Sequence, residues 1–258
     1  LAENRLGGRA AHDIEKDERQ NDYADDLNTR SQMINYLSGG SVYNPTDKGL
    51  GVPFEMTLAF HSDAGFSKED EWIGTLGVYT TNFNEGKLNS GVSRHASRDL
   101  TDMVMTELQQ DISARYGRQW NRRGMWNRNY SETRLPAVPS MILEILSHQN
   151  FADMKYGLDP SFCFTVGRSI YKGMLKYLSN RYGRPYIVQP LPVESVGVKF
   201  DGAYQAEISW TPAYDEIEPT SKPQGYILYT RLDDGAFDNG KILDSVTESC
   251  GRLSVRTA

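Results

Sequence analysis

Apolar and polar positions along this chain follow first a helical and then a strand period, and the changes of period mark its elements. Tyr23, Leu27, Ile34 and Leu37 recur at roughly helical spacing behind a cap at Asn21 or Asp22, and the pattern stops at Gly39-Gly40, which predicts a helix over 23–37. Asn44-Pro45 and the stretch from Gly49 to Pro53 are loop signals. Phe54 to Phe60 then reads as a strand that ends on His61-Ser62-Asp63-Ala64-Gly65. From Gly74 to Thr80, Thr75, Gly77 and Tyr79 alternate against Leu76 and Val78, a second strand. Ser97 is placed to cap the next helix, where Leu100, Val104, Leu108 and Ile112 recur every four residues and give one face to a sheet.

The middle of the chain holds its most apolar run. Met141-Ile142-Leu143 is bounded by Pro136 and Pro139 before it and by Ser147-His148-Gln149-Asn150 after it, so it reads as a buried strand whose C-terminal end delivers Glu144 to a loop. Asp159-Pro160 forms an N-cap and first-turn pair, and Phe162, Val166, Ile170, Met174 and Leu178 define a long amphipathic helix ending near Gly183. The order strand, strand, helix, strand, helix predicts an α/β domain over residues 1–185, with a mixed, mostly parallel sheet flanked by helices. Pro185, Pro190 and Pro192 then make a stiff linker. Short alternating runs follow, from Val193 to Phe200, Ala206 to Trp210, Gly225 to Thr230 and Lys241 to Val246, which predict a C-terminal all-β, sandwich-like domain over 186–258.

Composition narrows the class without naming it. A chain of 258 residues with 38% hydrophobic and 24% charged residues can bury a substantial core. Its mean hydropathy is -0.58, and it has no run long enough to cross a bilayer. The net charge of -6 argues against a nucleic-acid binder held by phosphate contacts. Cys163 and Cys250 lie far apart, so neither a disulfide framework nor a CxxC metal site is indicated. The first twenty residues, with Gly7-Gly8 and His12, are polar and read as a loop or arm. Because the chain starts at Leu1 without Met, a processed or incomplete N-terminal part is expected.

Three stretches bear on chemistry. A carboxylate leaving a buried strand is costly unless it has a partner, a metal-bound water or a raised pKa, so Glu144 is either paired with a nearby Arg or poised for proton transfer. His61 after a strand is either a hydrogen-bonded turn residue or a functional imidazole. Arg115, Arg118, Arg122, Arg123, Arg128 and Arg134 are interleaved with Tyr116, Trp120, Trp126 and Tyr130. Guanidinium groups pair with carboxylates and aromatic rings cover sugar faces, so this segment can grip an anionic or sugar-containing polymer. It can equally be a surface loop whose arginines pair with the chain's own acids.

Three motifs, in order, resemble the zinc-dependent N-acetylmuramoyl-L-alanine amidases of the cell-wall type, over about Leu27 to Leu178. Leu27-Asn28-Thr29-Arg30-Ser31-Gln32-Met33-Ile34-Asn35 is similar to that family's L-x-x-R-x-x-x-A-N, with Ile for Ala. Ala59-Phe60-His61-Ser62-Asp63-Ala64 is similar to S-I-H-A-N-A, with Asp63 for Asn. Pro139 to Asn150 resembles P-A-V-L-V-E-x-G-F-x-S-N. It keeps Glu144 and Asn150, has Leu146-Ser147 where the family has Gly-Phe, and places His148 next, a loop residue or one that faces substrate. Trp210, Tyr226 and Tyr229 resemble the fibronectin type III pattern of a buried Trp beneath a Tyr, in a domain expected to be incomplete.

The resemblance implies a secreted, periplasmic or cell-surface enzyme whose partner is peptidoglycan or a muropeptide. It would hydrolyse the amide between N-acetylmuramic acid and L-alanine with a zinc-activated water. By motif position His61 would be a Zn²⁺ ligand and Glu144 the general base. The family's remaining ligands, a His in a G-H-G-G turn and a Glu, precede the first motif, and this chain contains no such turn. A non-catalytic glycan- or wall-binding protein on the same scaffold is the alternative.

Overall fold

The computed structural model describes residues 18–39, 43–45, 49–69, 71–200 and 206–243. The predicted N-terminal arm with His12, and the stretch from 244 on with Cys250, lie outside them. The chain divides into two compact units, Leu1–Arg184 and Pro185–Ala258.

In the first unit, helix α1 (Glu18–Ser38) leads to β1 (Thr57–Asp63), β2 (Thr75–Tyr79), α2 (His95–Tyr116), β3 (Arg122–Asn127) and the single turn α3 (Ser131–Arg134). Then come β4 (Ser140–Ser147), α4 (Phe151–Gly157) and α5 (Pro160–Tyr182). The sheet runs β1-β4-β2-β3, with β1 parallel to β4, β3 parallel to β2, and β2 antiparallel to β4. This is the mixed, mostly parallel α/β architecture that the alternation of periods predicts.

Strand β4 is central, and its pattern explains why. Met141, Leu143 and Ile145 face α2 and α5, joining Leu100, Val104, Leu108, Ile112, Phe162 and Val166 in the main core. That burial is the dominant favourable contribution to the unit's stability. Gly77 of β2 lets α2 come close, since a Cβ there would lie 2.5 Å from Thr101 Cγ2. Gly173 of α5 does the same for the two helices, since its Cβ would lie 2.6 Å from Val104 Cα. Between those helices Lys172, buried, donates to Asp111 at 2.8 Å and lies 3.6 Å from Glu107, while Ser169 donates to Asp111 at 2.8 Å.

The opposite face of the sheet carries only a small apolar cluster, Leu76, Val78 and Ile142 with Ala59 against it. Helix α1 reaches this face, with Leu27 in the lining of the cavity in which the candidate site forms.

Several elements differ from the sequence reading. Helix α1 begins before the expected cap. Ser97 lies inside the first turn of α2, where its Oγ accepts from Ser140 N at 3.1 Å instead of capping. Asp159 does cap α5, accepting from Ser161 N at 2.9 Å, and Gly183 closes that helix at φ 58 in the left-handed region. Part of the Arg- and Trp-rich segment is the edge strand β3, and α4 follows β4 where a loop was read.

The second unit holds two separate antiparallel pairs: β5 (Glu194–Phe200) with β6 (Ala206–Thr211), and β7 (Tyr226–Leu228) with β8 (Lys241–Leu243). Trp210 of β6 is buried, its ring 5.1 Å from that of Tyr226 in an edge-to-face contact. Glu218 anchors the turn 219–221, accepting from Thr220 N at 3.3 Å and from Tyr186 Oη at 2.8 Å.

Candidate functional site

A cavity of about 390 Å³ opens on the sheet face opposite α2 and α5, with Leu27 of α1 in its lining. Its floor is Leu76, Val78 and Ile142, and its polar lining includes His61, Asp63, Glu132 and Glu144. Strand geometry brings these side chains together. Residues two apart on a strand share a face, which places His61 with Asp63, and the parallel β1–β4 register pairs His61 with Glu144.

Neither His61 nor Glu144 sits where a strand end was expected. Strand β1 runs through His61 to Asp63, and β4 continues past Glu144 to Ser147. Between the pairs His61–Glu144 and Asp63–Ser147, β4 has one residue more than β1, a bulge immediately beyond the Glu. The carboxylate is therefore presented from within a strand, on the open side of the sheet.

Glu144 Oε2 is buried and has no hydrogen-bond partner among the described residues. Burial raises its pKa above the ordinary carboxylate range; His61 and Arg123 oppose that rise, and the Asp63 and Glu132 carboxylates add to it. Asp63 shows the reverse balance. Its bond to the Arg123 guanidinium, together with the Ala64 N–H at 2.7 Å, holds its pKa below the usual value despite partial burial. Two carboxylates of one cavity are thus pushed in opposite directions, Glu144 toward its protonated form and Asp63 toward its ionised one.

His61 Nε2 lies 2.8 Å from Glu132 Oε2. The other oxygen of Glu132 accepts from Arg30 at 3.0 Å, and Arg30 also pairs with Asp26 at 2.6 Å. Glu132 belongs to α3, and nothing in its immediate sequence signalled its importance; Arg30, which binds it, was named only as part of the first motif.

The first sequence motif proves to be a docking face. Asn35 donates to Leu135 O at 2.8 Å and accepts from Ala137 N at 2.7 Å, and Ser31 donates to Ser131 O at 3.3 Å. Helix α1 thereby holds the stretch that leads into β4. Asn150, the last residue of the third motif, likewise works on the backbone, donating to Glu71 O at 2.8 Å and accepting from Ser67 N at 3.2 Å.

Of the aromatic and basic segment, Trp126, Asn129, Tyr130 and Arg134 line the cavity, with Trp126 44% and Tyr130 51% exposed. Trp120 instead is fully buried and donates from its indole to Thr75 Oγ1 at 2.8 Å. Arg122 and Arg123 pair with the chain's own acids, Asp102 and Asp63. Arg122 and Arg123 thus follow the reading in which the arginines pair with the chain's own acids, while Trp126 and Tyr130 are exposed in the cavity lining. His148 lies outside the cavity and meets Ser62 Oγ through Nδ1 at 3.1 Å.

The donors suit one ligation and not a complete metal centre. His61 is the one imidazole in the cavity lining, and among the described residues no group of three or more His, Cys, Asp and Glu is placed to hold a metal ion.

No family model and no curated protein matches the chain. Its structural neighbours are N-acetylmuramoyl-L-alanine amidases, matched over about half to two thirds of the chain. One is the CwlD amidase of Clostridioides difficile in complex with the GerS lipoprotein, at 20% identity and a TM-score of 0.45, covering 64% of this chain and 67% of that one. Ami1 of Mycobacterium smegmatis is 18% identical with a TM-score of 0.42, over 60% of this chain and 61% of that one. AmiC2 of Nostoc punctiforme is 17% identical with a TM-score of 0.37, over 48% and 58%. Likenesses of this size say nothing of activity, and the function has to be read from the residues of the cavity itself.

Proposed function

We propose that this chain hydrolyses the amide bond between N-acetylmuramic acid and L-alanine in peptidoglycan, with Glu144 as general base. The observation that carries the proposal is the pairing of His61 and Glu144 on adjacent parallel strands in one cavity, each at the position of its motif. Glu144 Oε2 has no partner among the described residues and its pKa is raised, so it can take a proton from the attacking water as the C–O bond forms. The same carboxyl group then gives that proton to the departing amine as the C–N bond breaks. The apolar floor limits water in the cavity, and Trp126 and Tyr130 offer faces to a sugar ring.

Zinc enters this reading through the resemblance alone. The described residues supply one of its ligands, His61, so any zinc would draw the others from outside them. The setting that goes with the reaction is the cell wall, in a secreted, periplasmic or surface protein. The second unit, with Trp210 against Tyr226, fits a fibronectin type III-like module that presents or spaces the first.

A second reading, a wall-binding protein without catalysis, is favoured by the incomplete ligand set. Mass spectrometry of peptidoglycan fragments after incubation, with and without a chelator, separates the two. Release of stem peptides beginning with L-alanine, abolished by chelation, supports the zinc amidase. Unchanged fragments alongside tight wall binding support the binding protein.

A further inference from the structure

The structure assigns Glu132 the role of a positioning residue: it fixes His61 as the tautomer protonated on Nε2 and leaves Nδ1 as the nitrogen with the free lone pair. The inference deepens the proposal above, on which its catalytic half rests.

A carboxylate can only accept, so the 2.8 Å contact between Glu132 Oε2 and a neutral His61 requires the proton on Nε2. Glu132 is itself held at both ends. Its side chain is 12% exposed, and its second oxygen is taken by Arg30 at 3.0 Å, which leaves Oε2 for the imidazole.

The backbone that carries Glu132 is pinned just as closely. Arg94, 3% exposed, donates to Arg134 O at 2.8 Å, Thr133 O at 3.4 Å and Lys87 O at 3.1 Å. Thr133, fully buried, contacts Thr80 Oγ1 at 2.6 Å and donates to Tyr130 O at 3.1 Å, while Ser140 Oγ donates to Thr133 O at 3.0 Å. A four-residue helix has little stability of its own, so this many buried polar bonds around it argue that the position of Glu132 is what they secure. An imidazole held this way has its nucleophilic or ligating nitrogen chosen in advance, and outer carboxylates that orient a working His typically matter 10–100-fold, roughly.

The test is ¹⁵N NMR of the full chain labelled at histidine, at about pH 8.5, where imidazoles are neutral. His61 is assigned by its disappearance in His61→Gln. The expected spectrum shows His61 protonated on Nε2. Glu132→Ala should shift it to a mixture or to the Nδ1–H form, and Glu132→Gln should turn it to the Nδ1–H form, because Arg30 takes the single amide oxygen and the NH2 then donates to the ring. If amide hydrolysis is found, Glu132→Ala should lower kcat by about 10–100-fold with KM little changed, and Glu132→Gln should lower it comparably. An Nδ1–H form in the unaltered protein, or a spectrum indifferent to Glu132→Ala, overturns the assignment. The tautomer is read without any substrate, so a failure of the amidase reading is seen separately. Circular dichroism identifies a variant that fails to fold, and Glu132→Gln, which keeps every heavy-atom position, then decides.

Discussion

His61 and Glu144 stand side by side across the β1–β4 ladder, yet one is tied down and the other is left open. The imidazole has Glu132 on Nε2; the carboxylate has a buried oxygen with no partner among the described residues. This asymmetry suits a pair in which one member is held still and the other moves a proton.

The raised pKa of Glu144 gives a prediction for activity with its sign. A general base works ionised, so the acidic limb of kcat/KM should lie above the ordinary carboxylate range and rise with pH as Glu144 loses its proton. Glu144→Gln should lower kcat by about 100-fold or more, measured by fragment release.

The same shift predicts a stability effect of opposite sense. A carboxyl group whose folded pKa exceeds its unfolded one favours folding below the unfolded pKa, and that contribution is lost as pH rises through the folded value. Glu144→Gln should therefore be at least as stable as the unaltered protein at neutral pH. In acid, where both side chains are neutral, the two should converge. Urea titrations at several pH values measure the difference.

Two glycines on α5 should respond oppositely to alanine. At Gly173 the new Cβ would meet Val104 backbone, so Gly173→Ala should cost about 1–3 kcal/mol by forcing α2 and α5 apart. At Gly167 no atom lies within 4 Å of such a Cβ, and Gly167→Ala should gain roughly 0.5–1 kcal/mol from helix propensity. Denaturant midpoints at matched m-values report both.

Removal of the Lys172 ammonium leaves Asp111 with a buried charge that Ser169 alone cannot offset. Lys172→Met should destabilise by about 3–5 kcal/mol. Adding Asp111→Leu should recover part of that loss, and a double-mutant cycle measures the coupling.

The exposed rings of Trp126 and Tyr130 should hold substrate without holding the fold. Their joint replacement by alanine should raise KM for a glycan-bearing substrate about 2- to 10-fold while the melting temperature stays unchanged.

Much of the core was legible because it repeats. The four-residue spacing of Leu100 to Ile112 and of Phe162 to Leu178 named both long helices, and Pro139 with the apolar run after it named β4. Glu144 and His61 were visible by motif. What could not be read was Glu132, since a contact across 71 residues leaves no local trace. Nor could the run from Met141 show that its strand continues past Glu144, because Ile145 and Leu146 read equally well as the start of a loop. The fate of the aromatic segment was hidden for a related reason. Trp120 and Trp126 look alike in sequence, and the hydroxyl of Thr75, which lies on another strand, gives the first indole a buried partner.

The alternation of side chains on β2 and β4 also separates two sets of constraints within one sheet. Residues on the helix side answer to close packing, where Gly77 and Gly173 admit no larger neighbour. On the other side, Trp126 and Tyr130 stand exposed at the rim of the cavity. Substitutions at those rim positions can thus change what the cavity accepts without disturbing the packing beneath it. A redesign of what the cavity binds would begin with Trp126 and Tyr130 and leave the sheet alone.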